Sequence, residues 1–378
     1  MENFLNTAIY NAKRSKIRQY SALAKNTPNC ISLTLGEPDF DTPSEIRDAA
    51  HFALDNHATH YIENNGTMAL REKIVEYENR VNGMNYTPDE VIVTAGATEG
   101  LFVALFASIN PGDEVIIPTP AFVLYEEIIK LCRGIPVFLD TSADDFQITE
   151  EKLNECVTDK TKAIILNTPN NPTGCVLTWE SLKNIYNAVA ERNVFVICDD
   201  VYRQLTYTEN YHSFAEFRDL RKQIIVIQSF SKPYAMTGWR VGYLLTDFSI
   251  KTRLELLHQF MVVSTPAPFQ DACIRALDFK PEEFLNTYKK RRRFVLDSLN
   301  EIGLEVTQPD GAFYVFPSIK KFGMPSDEFC TRMIKEAGLA ATPGSCFMGE
   351  GHVRLTYCYG DDVLQEGMKR LKEFTRKL

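Results

Sequence analysis

The sequence lacks the patterns that would place it in several other classes of protein. No apolar run approaches the roughly 20 residues that a membrane-spanning helix needs. The first residues show no charged stretch followed by an apolar one, so no secretory signal is indicated. The net charge is −9, and the basic cluster at 289–293 lies in a helical, acid-flanked pattern typical of a solvated helix face. We therefore expect a cytoplasmic protein that binds neither membrane nor nucleic acid.

Paired cysteine motifs and nucleotide-binding motifs are also missing. The nine cysteines are scattered without a C-x-x-C pair, which argues against a disulfide framework and against a zinc site. This usage suits a reducing cytoplasm, and Cys198, at the end of an apolar run, is expected in the core. There is no G-x-x-x-x-G-K-[ST] loop, and no G-x-G-x-x-G follows a strand, so a nucleotide-dependent enzyme is disfavoured.

From residue 91 onward the chain shows a regular alternation of strand and helix patterns. Seven short, β-branched, apolar segments are predicted strands, and helical patterns such as 98–109 and 178–192 separate them. This alternation is typical of an α/β fold with a mostly parallel sheet between two layers of helices. The predicted strands are 91–94, 115–117, 135–139, 163–166, 194–198, 224–227 and 241–245.

The remaining segments predict a second, smaller α+β domain. A charged helix over about 281–300, short strand-like segments and a last helix follow residue 270. With 378 residues, two domains are expected. We predict a large domain at 39–270 and a small domain formed by 1–38 and 271–378. Near the first boundary, Thr42-Pro43-Ser44-Glu45 predicts a capping box at the start of a helix.

The most informative stretch is residues 228–243, which contains Lys232. The apolar run at 224–227 leads into it, so Lys232 lies just past a strand end, where open α/β sheets bind their ligands. A lysine that is partly desolvated, or close to another cation, has a depressed pKa and becomes an amine nucleophile. The pattern predicts a Schiff base between Lys232 and a phosphorylated aldehyde cofactor.

The neighbours of this lysine suit a phosphate group. Ser229 and Ser231 can bind an anion, and Arg240 adds a fixed positive charge. Gly238 is expected to let the backbone approach closely. A second phosphate element follows strand 91–94, where small residues open a helix whose N-terminus attracts anions. Its candidate residues are Gly96, Ala97 and Thr98.

Two further features supply charge for chemistry at strand ends. Asp199 ends an apolar strand, where a carboxylate is costly unless it is paired with a positively charged group. Arg354 lies in a strand-like segment, and its planar guanidinium can grip a carboxylate with two hydrogen bonds. Taken alone, Asp199 could belong to a solvated acidic loop, and Arg354 could form a surface salt bridge.

Together these motifs resemble one family. Ser-Phe-Ser-Lys at 229–232, Gly-Trp-Arg-Val-Gly-Tyr at 238–243 and Asn-x-Pro-x-Asn-Pro-Thr-Gly at 167–174 are similar to segments of the class I/II aminotransferases, the fold-type I enzymes that use pyridoxal 5′-phosphate (PLP). The resemblance extends over nearly the whole chain. It implies transfer of an amino group from an L-amino acid to a 2-oxo acid, with PLP as the cofactor and no metal.

The resemblance also implies a role for each site residue. Lys232 holds PLP and moves the substrate Cα proton, and Asp199 keeps the pyridine nitrogen protonated. Tyr202 and Asn171 contact the ring oxygen, and Phe122 stacks on the ring. The implied phosphate ligands are Gly96, Ala97, Thr98, Ser229, Ser231 and Arg240.

Substrate binding and assembly follow from the same resemblance. Arg354 and Asn171 hold the substrate carboxylate, and Gly36 is a backbone contact beside it. Tyr61 reaches the cofactor phosphate of a neighbouring subunit, which implies a homodimer with shared active sites. Asp200 matches a position that is acidic and structural.

Three alternatives remain open on the sequence alone. Cystathionine-type C–S lyases and aminocyclopropane-carboxylate synthases resemble this family closely and share its lysine, asparagine and aspartate. A non-catalytic regulator could keep the fold, although it need not retain all the motif residues. The donor is likewise open among aspartate, aromatic and neutral amino acids, with 2-oxoglutarate as the acceptor. Segment 17–20, Phe122 and residues near 264 and 346 set that choice, and Arg14 or Arg18 could bind a second carboxylate.

Overall fold

The computed structural model describes residues 6–12 and 15–378. Short and long strands alternate with helices, as the apolar periodicities predict. In chain order the strands are β1 (Ile31–Ser32), β2 (Val91–Thr94), β3 (Glu114–Thr119), β4 (Ile135–Asp140), β5 (Thr161–Asn167), β6 (Phe195–Asp199), β7 (Ile224–Ser229), β8 (Gly242–Thr246), β9 (Tyr314–Val315), β10 (Leu339–Ala340), β11 (Thr342–Pro343) and β12 (Val353–Thr356).

The α-helices connect these strands and cover the sheet. They are α1 (Thr7–Asn11), α2 (Lys16–Asn26), α3 (Ser44–Asp55), α4 (Met68–Val81), α5 (Ala97–Ser108), α6 (Leu124–Leu131), α7 (Glu150–Cys156), α8 (Trp179–Val189), α9 (Phe248–Val262), α10 (Ala267–Asp278), α11 (Glu282–Ile302), α12 (Ser326–Ala337) and α13 (Asp361–Thr375). No helix in the described ranges is both long and apolar enough to cross a membrane.

A seven-stranded, mostly parallel sheet forms the centre of the molecule. Its order is β2-β8-β7-β6-β5-β3-β4, and β8 runs antiparallel to both of its neighbours. The other neighbouring pairs are parallel. All seven predicted strands are confirmed, with ends shifted by up to two residues. Because the parallel strands all end at one edge, the residues that follow β5, β6 and β7 meet there.

The central strands are buried on both faces, which explains their continuous apolar sequences. Along β6, Val196 and Cys198 pack into one core cluster, whereas Ile197 packs into the other. The cluster on the first side includes residues of α3, α4, α8 and α10, and the cluster on the second side includes residues of α5, α6 and α9. Two helical layers therefore hold the sheet, as the α/β pattern predicts.

A separate apolar core, distinct from the two clusters that cover the central sheet, lies in the C-terminal part of the chain. It joins α11, α12 and α13 to the antiparallel sheet β11-β12-β9, and it includes Leu33 from the N-terminal segment. In addition, β1 pairs in parallel with β10, with Ile31 opposite Leu339. The boundary predicted after residue 270 falls inside α10, whose buried face packs with the large core. The division at 38 and 270 stays a prediction.

Two local predictions are wrong. Pro43, not Thr42, occupies the N-cap of α3, and no side chain caps that helix. Thr42 Oγ1 instead donates to the Ala235 carbonyl at 2.6 Å and accepts from Trp239 Nε1 at 3.1 Å. The hydroxyl ties the start of α3 to the segment after Lys232, because a partner about 195 positions away competes successfully with the local cap.

The basic cluster at 289–293 is not simply a solvated face. Arg291 is buried, and its guanidinium binds both carboxylate oxygens of Asp39 at 2.7 and 2.8 Å and Asp361 at 3.0 Å. Arg293, by contrast, has a side chain that is 86% exposed. Arg291 therefore joins α11 to the N-terminal segment, because burying a guanidinium requires paired carboxylates.

Candidate active site

One cavity lies at the edge of the sheet where β5, β6 and β7 end. Twelve of the predicted site residues line it, although they come from segments between residues 36 and 354. Gly96 and Tyr61 are the two predicted residues outside this lining. Those that line it are Gly36, Ala97, Thr98, Phe122, Asn171, Asp199, Tyr202, Ser229, Ser231, Lys232, Arg240 and Arg354.

Lys232 projects into this cavity from the turn after β7. Its Nζ donates a hydrogen bond to the Gly36 carbonyl at 2.6 Å, so the predicted backbone contact point touches the lysine itself. Burial lowers the pKa of Lys232 to about 8, and the positive charges of Arg354 and Arg240 also lower it. At pH 7 roughly a tenth of this lysine is therefore an amine, the form that attacks an aldehyde, which is far more than for an unperturbed lysine.

Asp199, the last residue of β6, is buried with only half of its carboxylate satisfied. Its Oδ2 accepts from Tyr125 Oη at 2.5 Å, whereas Oδ1 has no hydrogen-bond partner. Burial raises the pKa of Asp199 to about 7, and the hydrogen bond from Tyr125 opposes this rise. An unpartnered buried oxygen is costly, so Oδ1 suits a positively charged group within the cavity.

The next residue, Asp200, faces away from the cavity into a buried ionic cluster. Its carboxylate accepts from Arg203 at 3.3 Å and from Ser213 Oγ at 3.1 Å. Arg203 also binds both oxygens of Glu78, at 2.6 and 2.8 Å. Burial raises the pKa of Asp200 to about 6. This cluster anchors the turn between Asp199 and Tyr202 to α4.

Arg354, on β12, lies against Asn171 at the other end of the cavity. Its Nη1 donates to Asn171 Oδ1 at 2.7 Å and its Nη2 donates to the Thr34 carbonyl at 2.5 Å, while Nε has no partner. The guanidinium is buried and lies 4.7 Å from the ring centroids of Tyr314 and Phe347. A buried cation with an unpartnered N–H suits an anionic ligand.

The candidate phosphate residues meet at the N-terminus of α5. Gly96 adopts φ 81°, and a Cβ built there would lie 2.5 Å from Arg240 Nη2, so a side chain would displace the guanidinium. Ser229 and Ser231 are buried nearby and joined by a hydrogen bond of 3.1 Å from Ser231 N to Ser229 Oγ. Helix N–H groups, hydroxyls and an arginine make this end suitable for a phosphate.

No neighbouring protein atom requires glycine at position 238, and its close approach to a bound group stays a prediction. A Cβ at Gly238 would meet no atom within 4 Å. A close approach within the protein occurs instead at Gly242, where a Cβ would lie 2.5 Å from the Gln228 carbonyl and 2.9 Å from Ala97 N. Gly242 therefore lets β8 pack directly against the turn that opens α5.

Three site residues escaped the sequence reasoning. Tyr125 donates to Asp199, and Tyr314 Oη lies 2.8 Å from Tyr202 Oη. Asn167 accepts from Asn171 N at 2.8 Å and donates to the Asp199 carbonyl at 2.8 Å, so it joins the ends of β5 and β6. Asn167 opens the Asn-x-Pro-x-Asn-Pro-Thr-Gly motif at 167–174, which is the signal that could have found it.

The remaining candidates lie outside the cavity. The side chain of Tyr61 is exposed, as a residue that serves a second subunit would be in a single chain. Arg18 is exposed on α2 and does not line the cavity, although its neighbour Ile17 does. Arg14 lies outside the described residues. Within the part of the chain that the structure describes, no cluster of side chains could hold a metal ion.

Comparison with known proteins agrees with this geometry. The family described as "Aminotransferase class I and II" matches residues 28–371. A Bacillus subtilis relative, "Probable N-acetyl-LL-diaminopimelate aminotransferase", is 40% identical over 100% of this chain and 97% of its own. "Aromatic-amino-acid aminotransferase 2" of Thermococcus litoralis is 37% identical, with 96% of each chain covered.

A solved structure supports the same assignment. The aspartate aminotransferase from Thermus thermophilus with maleate superposes with a TM-score of 0.93 at 32% identity, over 99% of each chain. The family match covers well over half of the sequence, and the fold match covers nearly all of it. The chain therefore belongs to the class I and II aminotransferases, enzymes that use pyridoxal phosphate to transfer amino groups.

Proposed function

We propose that this aminotransferase moves the amino group of an aromatic or neutral L-amino acid to a 2-oxo acid in the cavity around Lys232. The observation that carries the proposal is that Lys232, Asp199 and Arg354 line one cavity. Lys232 supplies a nucleophilic amine, Asp199 a negative charge that can pair with a cationic group, and Arg354 hydrogen-bond donors for a substrate carboxylate. Asp199 Oδ1 and Arg354 Nε have no hydrogen-bond partner, and Lys232 Nζ donates to a single backbone carbonyl, that of Gly36.

The residues present fit PLP. When bound, the cofactor supplies an electron sink that makes the substrate Cα proton acidic. The unpartnered Oδ1 of Asp199 suits the protonated pyridine nitrogen, and Phe122 offers a ring face. The α5 N-terminus, Ser229, Ser231 and Arg240 suit the phosphate. Tyr202 and Asn171 suit the ring oxygen.

Lys232 is the residue that moves protons. Burial lowers the pKa of its ammonium to about 8, so Nζ can release and accept a proton near neutral pH. The Gly36 carbonyl, which accepts from Nζ, holds the side chain within the cavity. We assign Lys232 Nζ as the base that takes the Cα proton and returns it.

Arg354 and Asn171 orient the donor. They lie 2.7 Å apart, and the Arg354 Nε–H is unpartnered, so both can reach one carboxylate. Two hydrogen bonds to a planar carboxylate fix its orientation as well as its position. Such a grip would limit how the substrate Cα can lie relative to Lys232, which lines the same cavity.

The lining favours aromatic and neutral donors over aspartate. The basic residues in the described lining are Lys232, Arg240 and Arg354, and each already has a role. The lining residues without a role are mostly apolar and include Ile17, Leu35 and Leu124. An aspartate side chain would bury a second carboxylate there without a cation, which is unfavourable. The family resemblance implies 2-oxoglutarate as the acceptor, but its second carboxylate would meet the same lack of a cation, so a monocarboxylic 2-oxo acid fits the described lining better.

We further propose a homodimer in the cytoplasm. Tyr61 and Phe260 are 88% and 83% exposed in the single chain. The loop that carries Tyr61 is bonded to α9, which carries Phe260, through Asn64 and His258, and exposed apolar side chains that lie together mark association surfaces. A second subunit would cover them and bring Tyr61 to the neighbouring phosphate site. The cytoplasmic location rests on the scattered, unpaired cysteines.

The test is a titration of the purified, PLP-loaded protein with single amino acids in the absence of an oxo acid. We expect tyrosine or phenylalanine to shift the visible absorption band and to release one equivalent of the corresponding oxo acid. Aspartate is expected to do so only at much higher concentration. Aspartate as the best donor would contradict the proposed donor class. Pyruvate and ammonia that accumulate from cystathionine would indicate a C–S lyase instead.

Lys232→Ala provides the matched variant. We expect transamination to fall by at least roughly 100-fold, because the proton-transfer group is lost. Lys251→Ala serves as the control, since it removes another buried lysine, one that pairs with Glu255 at 2.7 Å. Normal turnover in Lys232→Ala, or equal loss in both variants, would refute the assigned role.

A further inference from the structure

A buried histidine contacts the helix that holds the proposed phosphate site. His258, on α9, is 0% exposed. Its Nδ1 lies 2.6 Å from Glu99 Oε1, and its Nε2 lies 2.8 Å from the Asn64 carbonyl oxygen. Neither the catalytic roles proposed above nor the motifs account for this histidine. It lies 159 positions from Glu99 in the chain.

The two contacts fix the net charge of the pair. A carbonyl oxygen only accepts, so His258 Nε2 carries a proton. Nδ1 then either donates to a Glu99 carboxylate or accepts from a Glu99 carboxylic acid. In the first case an imidazolium faces a carboxylate, and in the second both groups are neutral. The pair has no net charge in either form.

Glu99 lies where a negative charge matters most. It is in the first turn of α5, directly after Thr98, and its Oε2 accepts from Ala95 N at 2.5 Å. An acidic side chain at this end of a helix uses the same partial positive charge as a bound phosphate. An uncompensated Glu99 carboxylate would also repel the phosphate, since buried like charges are poorly screened.

We propose that His258 is a positioning residue that neutralises Glu99, so that the N-terminus of α5 can hold the cofactor phosphate. This inference rests on the proposed phosphate site at Gly96–Thr98. The Glu99 carboxylate shapes the turn through Ala95 N, and His258 removes the electrostatic cost of placing an acid there. His258 also holds the loop at Asn64, three positions after Tyr61.

The experiment compares cofactor-free protein binding PLP with the same protein binding pyridoxal, which lacks the phosphate. We expect His258→Gln to weaken PLP binding by about tenfold, because the hydrogen-bonded charge pair is worth roughly that factor. Pyridoxal binding is expected to change by less than about twofold. Glu99→Gln, alone or combined with His258→Gln, is expected to keep PLP affinity close to wild type, because the repelling carboxylate is gone.

Glu90→Gln is the control, since Glu90 is another buried carboxylate of the predicted large domain and pairs with Arg221 at 2.6 Å. It is expected to leave the ratio of PLP to pyridoxal affinity unchanged. The inference is overturned if PLP and pyridoxal affinities fall together in His258→Gln, or if the double variant binds PLP no better than His258→Gln. Should His258→Gln not fold, a tenfold loss of PLP affinity in Glu99→Gln would overturn it too.

The wild-type protein separates this inference from the proposed site on which it rests. If wild type binds PLP no better than pyridoxal, and inorganic phosphate does not compete, the phosphate placement itself is wrong. If wild type prefers PLP but the ratio is the same in His258→Gln, only the role of His258 fails.

Discussion

At the residue scale, Asp199 destabilises the cofactor-free protein, because its buried carboxylate lacks the positively charged partner that the cofactor would provide. It is 4% exposed, and its Oδ1 has no partner. Burial raises its pKa to about 7, from about 3.9 in an unfolded chain. The folded protein therefore binds more protons than the unfolded chain between these values. It follows that this group lowers stability as the pH rises from about 4 through 7.

Asp199→Asn is expected to stabilise the cofactor-free protein at pH 8 by up to about 4 kcal/mol, since the ionised buried carboxylate is gone. The gain is expected to shrink towards zero near pH 4. Thermal unfolding across this pH range measures it, with the exposed Asp41→Asn as the control that shows no such trend. Transamination should fall at every pH. A variant less stable than wild type at pH 8 would contradict the burial argument.

Single residues were predictable from sequence when chemistry and strand position agreed. Lys232, Asp199 and Arg354 each carry a charge at or near a strand end, and the structure places all three in one cavity. Tyr125 and Tyr314 carry no charge, and their partners lie 74 and 112 positions away. An uncharged tyrosine in an apolar run is indistinguishable from a core residue until the chain is folded.

At the scale of elements, the junction between β2 and α5 is built for an anion. The turn needs a residue at φ 81°, and Gly96 supplies it without a side chain that would meet Arg240. Gly242 on β8 lets that strand approach the same turn. The helix N-terminus is therefore open, and the arginine lies across it.

Gly96→Ala is expected to weaken PLP binding by at least roughly tenfold, because its Cβ would push the Arg240 guanidinium out of place. Gly83→Ala is the matched control, since Gly83 has φ 63° but a Cβ there meets nothing within 4 Å. Gly96→Ala should also lose more stability than Gly83→Ala, because φ 81° with ψ 169° is a conformation that essentially only glycine adopts. Titration of cofactor-free protein with PLP measures the difference in PLP affinity. Equal PLP affinity in the two variants would argue against a phosphate at α5.

Helices and strands with a strong apolar periodicity were predictable from the sequence, whereas the residues at which they begin and end were less predictable. The central strands are buried on both faces, so their sequences alone mark them. The start of α3 was not predictable, because Thr42 bonds to Ala235 and Trp239 rather than to its own helix. The prediction of a solvated helix face at Arg291 was wrong for the same reason, because its partner Asp39 is distant in sequence and close in space.

At the scale of the whole molecule, the proposed homodimer would add Tyr61 of one chain to the phosphate site of the other. Tyr61 is exposed and outside the cavity. It lies in the loop that His258 holds through Asn64. If two chains associate through the surface that carries Tyr61 and Phe260, each supplies a phosphate ligand to the other. No pattern within one sequence shows this, because the partner surface is a second copy of the same chain.

Mixing two inactive variants tests the shared site. Lys232→Ala lacks the catalytic amine but keeps Tyr61, and Tyr61→Ala keeps the amine but lacks the phosphate ligand. In a mixed dimer, the tyrosine of the first chain completes the site of the second, so one of the two sites is native. After unfolding and refolding together at equal amounts, we expect about a quarter of wild-type activity, since half of the dimers are mixed. The same mixture without refolding is the control, and it should show only the sum of the two residual activities. Activity that stays at this sum after refolding, with dimers present in solution, would show that Tyr61 does not serve the neighbouring site.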